Sequence, residues 1–170
     1  MIDGFSGAGK TTLARELRRA DPSVTVQSIE AFYLGWDGLA AGPGRAAEQL
    51  LEPLRRGATP EVAPWDWRRG EVAPARRRVV SGLLVLEGVG AAARPLRDAA
   101  SLSVWVDTPA ADRDARLRER DDWATYAPHR AAFEAQEQAL AASEGTRDAV
   151  DVVVTHDGGR WETPRSGARP

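Results

Sequence analysis

The sequence predicts an α/β fold in which helices cover both faces of a parallel β-sheet. Short apolar segments alternate along the chain with segments of helical periodicity, which is the pattern of such three-layer proteins. Near the start, a glycine-rich turn at residues 4–11 precedes a helix. Three later apolar segments end in a carboxylate, at Glu30, Glu87 and Asp107. Because ligands bind beyond the carboxyl ends of parallel strands, these positions predict a site at that edge of the sheet.

The glycine-rich turn fits a phosphate-binding loop, in which Gly, four residues and a second Gly precede Lys and Ser or Thr. Glycine lets successive N–H groups turn towards phosphate oxygens. Lys10 would place its charge on the β and γ phosphates, and the Thr11 hydroxyl would ligate Mg²⁺. The dipole of the following helix also favours an anion. We therefore predict that ATP and Mg²⁺ are bound by Gly4, Ser6, Gly7, Ala8, Gly9, Lys10, Thr11 and Thr12.

Only three residues, Met1-Ile2-Asp3, precede this loop. A phosphate-binding loop normally follows a buried strand of about five residues. The first strand is therefore truncated in this sequence, and we expect the native chain to begin upstream of Met1.

The remaining elements follow in a regular order. Apolar runs typical of buried parallel strands occur at residues 24–29, 83–86, 102–106 and 150–155. Helices are expected at residues 11–20, 45–55, 91–99 and 129–143, and from Pro109 onwards, where Thr108 would cap the helix. Residues 58–75 are proline-rich and predicted to be irregular. We expect one domain over residues 1–157 and a polar, flexible tail over residues 158–170.

Composition excludes several classes of protein. The net charge of −2 gives no general attraction to nucleic acid or anionic membranes. The chain has no cysteine, so disulfides and thiolate chemistry are excluded, and it lacks an apolar run of about 18 residues that would suggest a membrane span. It also has no Asn and a single Lys, so it cannot carry the Asn-Lys-x-Asp guanine reader of a GTPase. We predict a cytoplasmic protein with neither nucleic acid nor membrane as partner; its oligomeric state stays open.

The sequence contains the further groups that a small-molecule kinase needs. Glu30 could orient or deprotonate an acceptor hydroxyl. Arg113, Arg116 and Arg120 are spaced by three and four residues, so they share a helix face and could neutralise the transferring phosphoryl group. Aromatic residues with nearby carboxylates would form an acceptor pocket, namely Tyr33, Trp36, Trp65 and Trp67 with Asp37 and Asp66.

Four stretches together resemble a known family. They are residues 3–12, Phe32-Tyr33, Leu86-Glu87-Gly88 and Arg120-Asp121, and they are similar to the uridine kinase-like branch of the P-loop nucleoside and nucleotide kinases. Residues 33–39 and 126–129 further resemble a compact actinobacterial-type group of ATP-binding proteins within that branch.

The resemblance implies a three-layer P-loop NTPase fold with a five-stranded parallel sheet in the order 2-3-1-4-5. It implies a lid at about residues 109–128 that closes over ATP, with Arg113 as an ATP contact and Arg116 and Arg120 as catalytic residues beside Lys10. The adenine would lie near the lid and residues 156–158.

The resemblance also implies roles for the acidic and aromatic residues. Glu30 would be the catalytic acidic residue, and Asp66 would hold sugar hydroxyls. The metal would be bound by Thr11, Glu30 and Glu87, and the acceptor, a nucleoside-like small molecule, by Tyr33, Trp36, Asp66, Trp67 and Glu87.

Two alternatives to a nucleoside-type kinase stay open. The family usually has Asp where Glu30 stands, often with a second Asp where Ala31 stands, and these departures favour a non-catalytic ATP-binding module. Arg68 or Arg69 could bind a phosphate on the acceptor, which would make the protein a nucleoside monophosphate kinase.

Overall fold

A computed structural model describes residues 1–157 and 160–163 and has the predicted α/β architecture. The strands in these residues are β1 (Ile2–Asp3), β2 (Thr25–Ser28), β3 (Glu61–Val62), β4 (Trp65–Asp66), β5 (Glu71–Val72), β6 (Arg76–Arg77), β7 (Leu84–Glu87), β8 (Val104–Asp107), β9 (Val152–Asp157) and β10 (Arg160–Glu162).

The central sheet has the strand order β10-β9-β8-β1-β7-β2. Its five strands from β2 to β9 are parallel to their neighbours, so their order is the predicted 2-3-1-4-5 when they are numbered along the chain. The two-residue β1 lies in the middle, where it pairs with β7 and β8. This position places the loop that follows β1 at the centre of the carboxyl edge of the sheet.

The sixth strand, β10, falls within the predicted flexible tail. It pairs antiparallel with β9, and the indole N–H of Trp161 donates to Glu16 Oε2 at 2.5 Å. The Trp161 ring also packs against an apolar cluster that includes Ile2 and Val106. An aromatic residue with both apolar and polar partners therefore holds these residues on the sheet, whereas residues 158–159 and 164–170 of the predicted tail lie outside the described residues.

The helices are α1 (Lys10–Ala20), α2 (Gly42–Ala46), α3 (Glu52–Arg55), α4 (Ala110–Arg118), α5 (Trp123–Tyr126), α6 (Arg130–Glu144) and α7 (Thr146–Ala149). A π-helical turn, Ala47–Leu51, joins α2 to α3, and 3₁₀ turns occur at Ile29–Phe32, Arg97–Ala99 and Ala127–His129. Within the described residues, no helix combines the length and apolar character needed to cross a bilayer.

Several predicted boundaries were wrong. The strand expected at residues 24–29 ends at Ser28, because the Ser28 hydroxyl accepts the N–H of Glu30 at 3.2 Å and caps the 3₁₀ turn. The helix expected at residues 91–99 is only a 3₁₀ turn at its end, Arg97–Ala99, because Pro95 within the segment has no N–H to donate to a helical hydrogen bond. Around the start of the segment, the carboxylate of Asp3 accepts the N–H groups of Gly90 and Ala92.

Thr108 does not cap α4, because its hydroxyl donates to the carbonyl oxygen of Ala8 at 2.9 Å. The helix begins at Ala110 instead of Pro109. The segment expected to be irregular, residues 58–75, contains three short strands: β4 pairs antiparallel with β5, and β3 pairs antiparallel with β6, which follows the segment directly.

Apolar clusters lie on both faces of the sheet. Neighbouring residues of β7 belong to different clusters, Val85 with Ala14 of α1 and Leu86 with Phe133 of α6. Because successive strand residues point to opposite faces, α1 and α6 cover opposite sides of the sheet. The layers are those of the predicted three-layer sandwich.

Candidate active site

The glycine-rich loop between β1 and α1 packs closely against β8 and α4. Gly4 has φ +144°, and a Cβ there would lie 2.5 Å from the carbonyl oxygen of Val106. Gly7 has φ +79°, and its Cβ would lie 2.6 Å from the carbonyl oxygen of Arg113. Side chains at these two positions would clash with backbone and adopt a disfavoured conformation, so the loop requires glycine.

The charged residue of the loop points into the site. Lys10 is 8% exposed, and its Nζ donates to the carbonyl oxygen of Phe5 at 2.9 Å. A cavity of about 740 Å³ lies in front of it. Its lining brings together most of the predicted loop residues and several predicted site residues, namely Ser6, Gly7, Gly9, Lys10, Thr11, Thr12, Glu30, Glu87, Arg116 and Arg120. We call this space the phosphate cavity.

Thr11 and Glu87 form a pair of oxygen donors beside Lys10. The Thr11 hydroxyl donates to Glu87 Oε2 at 3.1 Å. Glu87 is 5% exposed, and burial raises its pKa, against the opposing effects of Lys10 and Thr11. A hydroxyl and one carboxylate next to a phosphate site form the kind of oxygen set that binds Mg²⁺ together with substrate phosphates. Glu87 lines the phosphate cavity and does not line the neighbouring aromatic cavity, so its position fits the metal role better than acceptor binding.

The three arginines of the predicted lid lie at different places. Arg113 donates to the carbonyl oxygen of Ser6 at 3.3 Å and packs over the Phe5 ring, and it does not line the phosphate cavity. Arg116 donates to the carbonyl oxygen of Ala8 at 3.3 Å. Arg120 forms a salt bridge with Asp122, with Nη2 and Oδ2 2.6 Å apart. Arg116 and Arg120 are therefore the two of the three that line the phosphate cavity.

A second cavity, of about 600 Å³, has aromatic walls. Its lining contains the predicted Tyr33, Trp36 and Trp67, together with Tyr126 and Phe133. The ring centroids of Trp36 and Trp67 are 4.8 Å apart. The Trp36 ring is also stacked on the ring of His129, with a centroid distance of 4.4 Å and an angle of 9° between the planes. We call this space the aromatic cavity. Its rings could hold a flat ligand group by stacking.

Tyr33 and Asp66 contribute less polar chemistry to this cavity than the sequence predicted. The Tyr33 hydroxyl donates to the carbonyl oxygen of Val89 at 2.6 Å, so it already has a partner in the core. Asp66 does not line the aromatic cavity, and its Oδ1 accepts the N–H groups of Arg68 and Arg69 in the turn between β4 and β5. The role of Asp66 in holding sugar hydroxyls stays a prediction.

The two cavities adjoin. Four residues line both of them, namely Ser6, Glu30, Arg120 and Asp122. The Glu30 carboxylate and the Arg120 guanidinium therefore lie at the junction between a ligand in the aromatic cavity and a phosphate at the loop. The 3₁₀ turn Ile29–Phe32 places Glu30 there, directly after the end of β2.

Sequence reasoning missed one buried acidic residue next to the loop. Glu137 of α6 is 1% exposed and accepts hydrogen bonds from both the N–H and the hydroxyl of Ser6. Burial raises its pKa, and the bonds from Ser6 oppose that shift. The available signal was a carboxylate on the apolar stripe of a helix, since Phe133 and Leu140 lie on the same face.

The predicted adenine region is partly described. His156 Nδ1 lies 3.5 Å from Arg116 Nη2, and its ring is 4.4 Å from that of Trp161. Trp161 in turn is next to Gly9, since a Cβ there would lie 3.5 Å from its ring. Gly158 lies outside the described residues.

Two solved structures have the same fold. A possible uridine kinase from Bacillus stearothermophilus matches with a TM-score of 0.63 and 20% identity, over 89% of this chain and 85% of that one. A proposed fructose transport system kinase from Silicibacter sp. TM1040 matches with a TM-score of 0.52 and 21% identity, over 89% of this chain and 86% of that one. No family model matches the chain, and no curated protein sequence matches it. The predicted three-layer fold is thus confirmed, and this chain shares it with the two structures.

Proposed function

We propose that the protein is an ATP-dependent small-molecule kinase that transfers the γ-phosphoryl group to a hydroxyl of a nucleoside-like acceptor. One observation carries this proposal: the phosphate cavity and the aromatic cavity meet at Glu30 and Arg120, which line both. A binding module for ATP alone would not need an aromatic cavity that opens beside the phosphates. The fold shared with two structures named as kinases is consistent with this activity.

The residues at the junction have complementary roles in direct, in-line transfer. Glu30 orients the acceptor hydroxyl and takes its proton as the new oxygen–phosphorus bond forms and the bond to the β-phosphate oxygen breaks. Lys10, Arg116 and Arg120 stabilise the charge that develops on the phosphoryl oxygens. Thr11 and Glu87 would hold Mg²⁺, which when bound neutralises phosphate charge.

The aromatic cavity supports an acceptor with a flat ring system. Trp36 and Trp67 offer stacking surfaces, while Glu30 reaches the same space with a carboxylate. A nucleoside has this combination of a flat base and a sugar hydroxyl. The name of the Bacillus stearothermophilus neighbour makes uridine the first acceptor to test.

A second candidate function rests on Arg68. This residue lines the aromatic cavity and could bind a phosphate on the acceptor. The protein would then be a nucleoside monophosphate kinase, and the γ-phosphoryl group would be transferred to an oxygen of that phosphate instead of a hydroxyl.

The test is a panel of nucleosides and their monophosphates incubated with ATP and Mg²⁺, with phosphorylated products identified by mass spectrometry. We expect a nucleoside to be phosphorylated, and Glu30→Gln to lower kcat by about 10²- to 10⁴-fold because the proton acceptor is lost. Lys10→Ala should abolish ATP binding measured by calorimetry. The matched control is Glu48→Gln, because Glu48 is an exposed residue of the π-helical turn. This substitution should leave kcat and ATP binding unchanged.

Other results would point elsewhere. ATP binding that depends on Lys10 without transfer to any acceptor would favour the non-catalytic module. Preference for a monophosphate, lost in Arg68→Ala, would establish the second candidate.

A further inference from the structure

Glu137 of α6 holds Ser6, the loop residue that lines both cavities. The N–H of Ser6 lies 3.2 Å from each carboxylate oxygen of Glu137, and the Ser6 hydroxyl donates to Oε1. The two residues are 131 positions apart in the chain. Ser6 thus directs both of its donors towards α6, away from the phosphate cavity.

The preceding residue of α6 holds the wall of the aromatic cavity. Gln136 donates through Nε2 to the carbonyl oxygen of Trp36 at 2.9 Å. One turn earlier, Phe133 contributes its ring to the same cavity. Two consecutive residues of one helix therefore bind the two halves of the site, Gln136 the aromatic wall and Glu137 the phosphate loop.

We propose that Glu137 is a positioning residue for phosphoryl transfer. Glu137 fixes the phosphate loop at Ser6, and Gln136 fixes the aromatic wall at Trp36, so that one helix sets the position of the loop relative to the wall. This proposal rests on the proposed kinase function. Neither residue is assigned contact with the reacting atoms: Glu137 lines neither the phosphate cavity nor the aromatic cavity and acts through Ser6.

Core packing alone does not require a carboxylate at position 137. A buried carboxylate is costly unless it is hydrogen-bonded, and a leucine at this position would fill the space on the apolar stripe without that cost. Charge-assisted hydrogen bonds are about twice as strong as neutral ones, so the carboxylate restrains Ser6 more tightly than a neutral acceptor would. Tight restraint matters at this residue because a misplacement of about 1 Å can lower a transfer rate by about 10²-fold.

The experiment separates positioning from nucleotide binding. In Glu137→Gln we expect kcat to fall by about 10- to 100-fold, because the neutral amide restrains Ser6 less. The Kd for ADP, measured by calorimetry, should change by less than about 3-fold, since no contact of Glu137 with the phosphate cavity is lost. Gln136→Ala should instead raise the acceptor KM by about 3- to 10-fold through loss of one hydrogen bond. Glu134→Gln, the same substitution one turn earlier in α6, is the control and should change neither quantity.

An NMR measurement reports on the tether without relying on activity. The Ser6 amide proton should resonate downfield in the wild type and in Glu134→Gln, and move upfield in Glu137→Gln. If Glu137→Gln does not fold, Ser6→Ala keeps the backbone bond to the carboxylate and removes the hydroxyl one. It should then lower kcat several-fold, and by a larger factor than it raises the Kd for ADP.

The proposal is overturned if Glu137→Gln leaves kcat unchanged, or if the Kd for ADP rises as much as kcat falls. If Ser6→Ala has to be used because Glu137→Gln does not fold, an unchanged kcat in Ser6→Ala overturns the proposal as well. A wild-type protein that phosphorylates no acceptor overturns the kinase function itself, and the Ser6 amide shift then tells whether the tether exists without transfer.

Discussion

Asp3 shows how much a single residue can organise in this protein. Its carboxylate is buried and accepts three backbone N–H groups, those of Gly4, Gly90 and Ala92, at 2.7–2.9 Å. It thereby joins the start of the phosphate loop to the segment that follows β7. Burial raises the pKa of Asp3, while the three hydrogen bonds and the charge of Lys10 oppose that shift.

We predict that Asp3→Asn lowers the free energy of unfolding near pH 4 by about 1–3 kcal/mol, because one amide oxygen cannot serve three donors. The loss should become smaller as the pH rises. An acidic group with a raised native pKa binds more protons when folded than when unfolded, so its contribution to stability falls with pH above about 4, where an unfolded aspartate titrates.

Urea unfolding of both proteins from pH 4 to pH 7 measures this difference. A gap that widens with pH would contradict the direction assigned to the pKa of Asp3.

At the scale of elements, β10 extends the sheet next to the phosphate loop. Trp161 is its central residue, and it reaches Glu16 of α1 as well as the neighbourhood of Gly9. One strand of three residues therefore touches both the helix and the loop that line the phosphate cavity. We therefore expect the Trp161 side chain to make a large part of the contribution of β10 to stability.

We expect Trp161→Ala to lower the free energy of unfolding by about 1–3 kcal/mol, since both apolar packing and the bond to Glu16 are lost. Trp161→Phe should lose less, because it keeps a ring and removes only the N–H donor. Urea denaturation gives both values. Val79→Ala is the control, as Val79 is 75% exposed and should stay within about 0.5 kcal/mol of the wild type. Equal losses for the two Trp161 variants would show that packing contributes nothing.

At the scale of the whole molecule, the phosphate loop contacts elements from distant parts of the chain. Ser6 is bound by α6, Ala8 by Thr108 and Arg116, and Thr11 by Glu87. A ligand that binds this loop should therefore stabilise the protein as one unit.

We predict that ADP with Mg²⁺ at about 100 times its Kd adds about 2.7 kcal/mol to stability. For a chain of this size that corresponds to a rise in Tm of about 5–10 °C, measurable by scanning calorimetry. Lys10→Ala should show no such rise. A rise of the same size in that variant would mean that the nucleotide binds elsewhere.

Local patterns in the sequence were sufficient for most of the fold. Apolar runs located the four longer parallel strands to within a few residues, and the Gly-x₄-Gly-Lys-Thr pattern located the loop before α1. The strand order came from resemblance and is confirmed by the sheet. Trp36 and Trp67, which the sequence assigned to one aromatic pocket, have ring centroids 4.8 Å apart, and their role in acceptor binding stays a prediction.

What the sequence determined by itself is the set of elements and the chemistry at their ends, because periodicity and loop motifs are encoded in neighbouring residues. The tertiary structure alone decided which distant residues meet: Glu137 with Ser6, Trp161 with Glu16, and Glu30 with Arg120 at the junction of the two cavities. Such pairs depend on how helices pack across the sheet, and no local pattern specifies that packing. The tertiary structure also showed that the Asp66 carboxylate accepts the N–H groups of Arg68 and Arg69 in its own turn. Aspartate side chains commonly form such local hydrogen bonds with backbone N–H groups that are close in sequence.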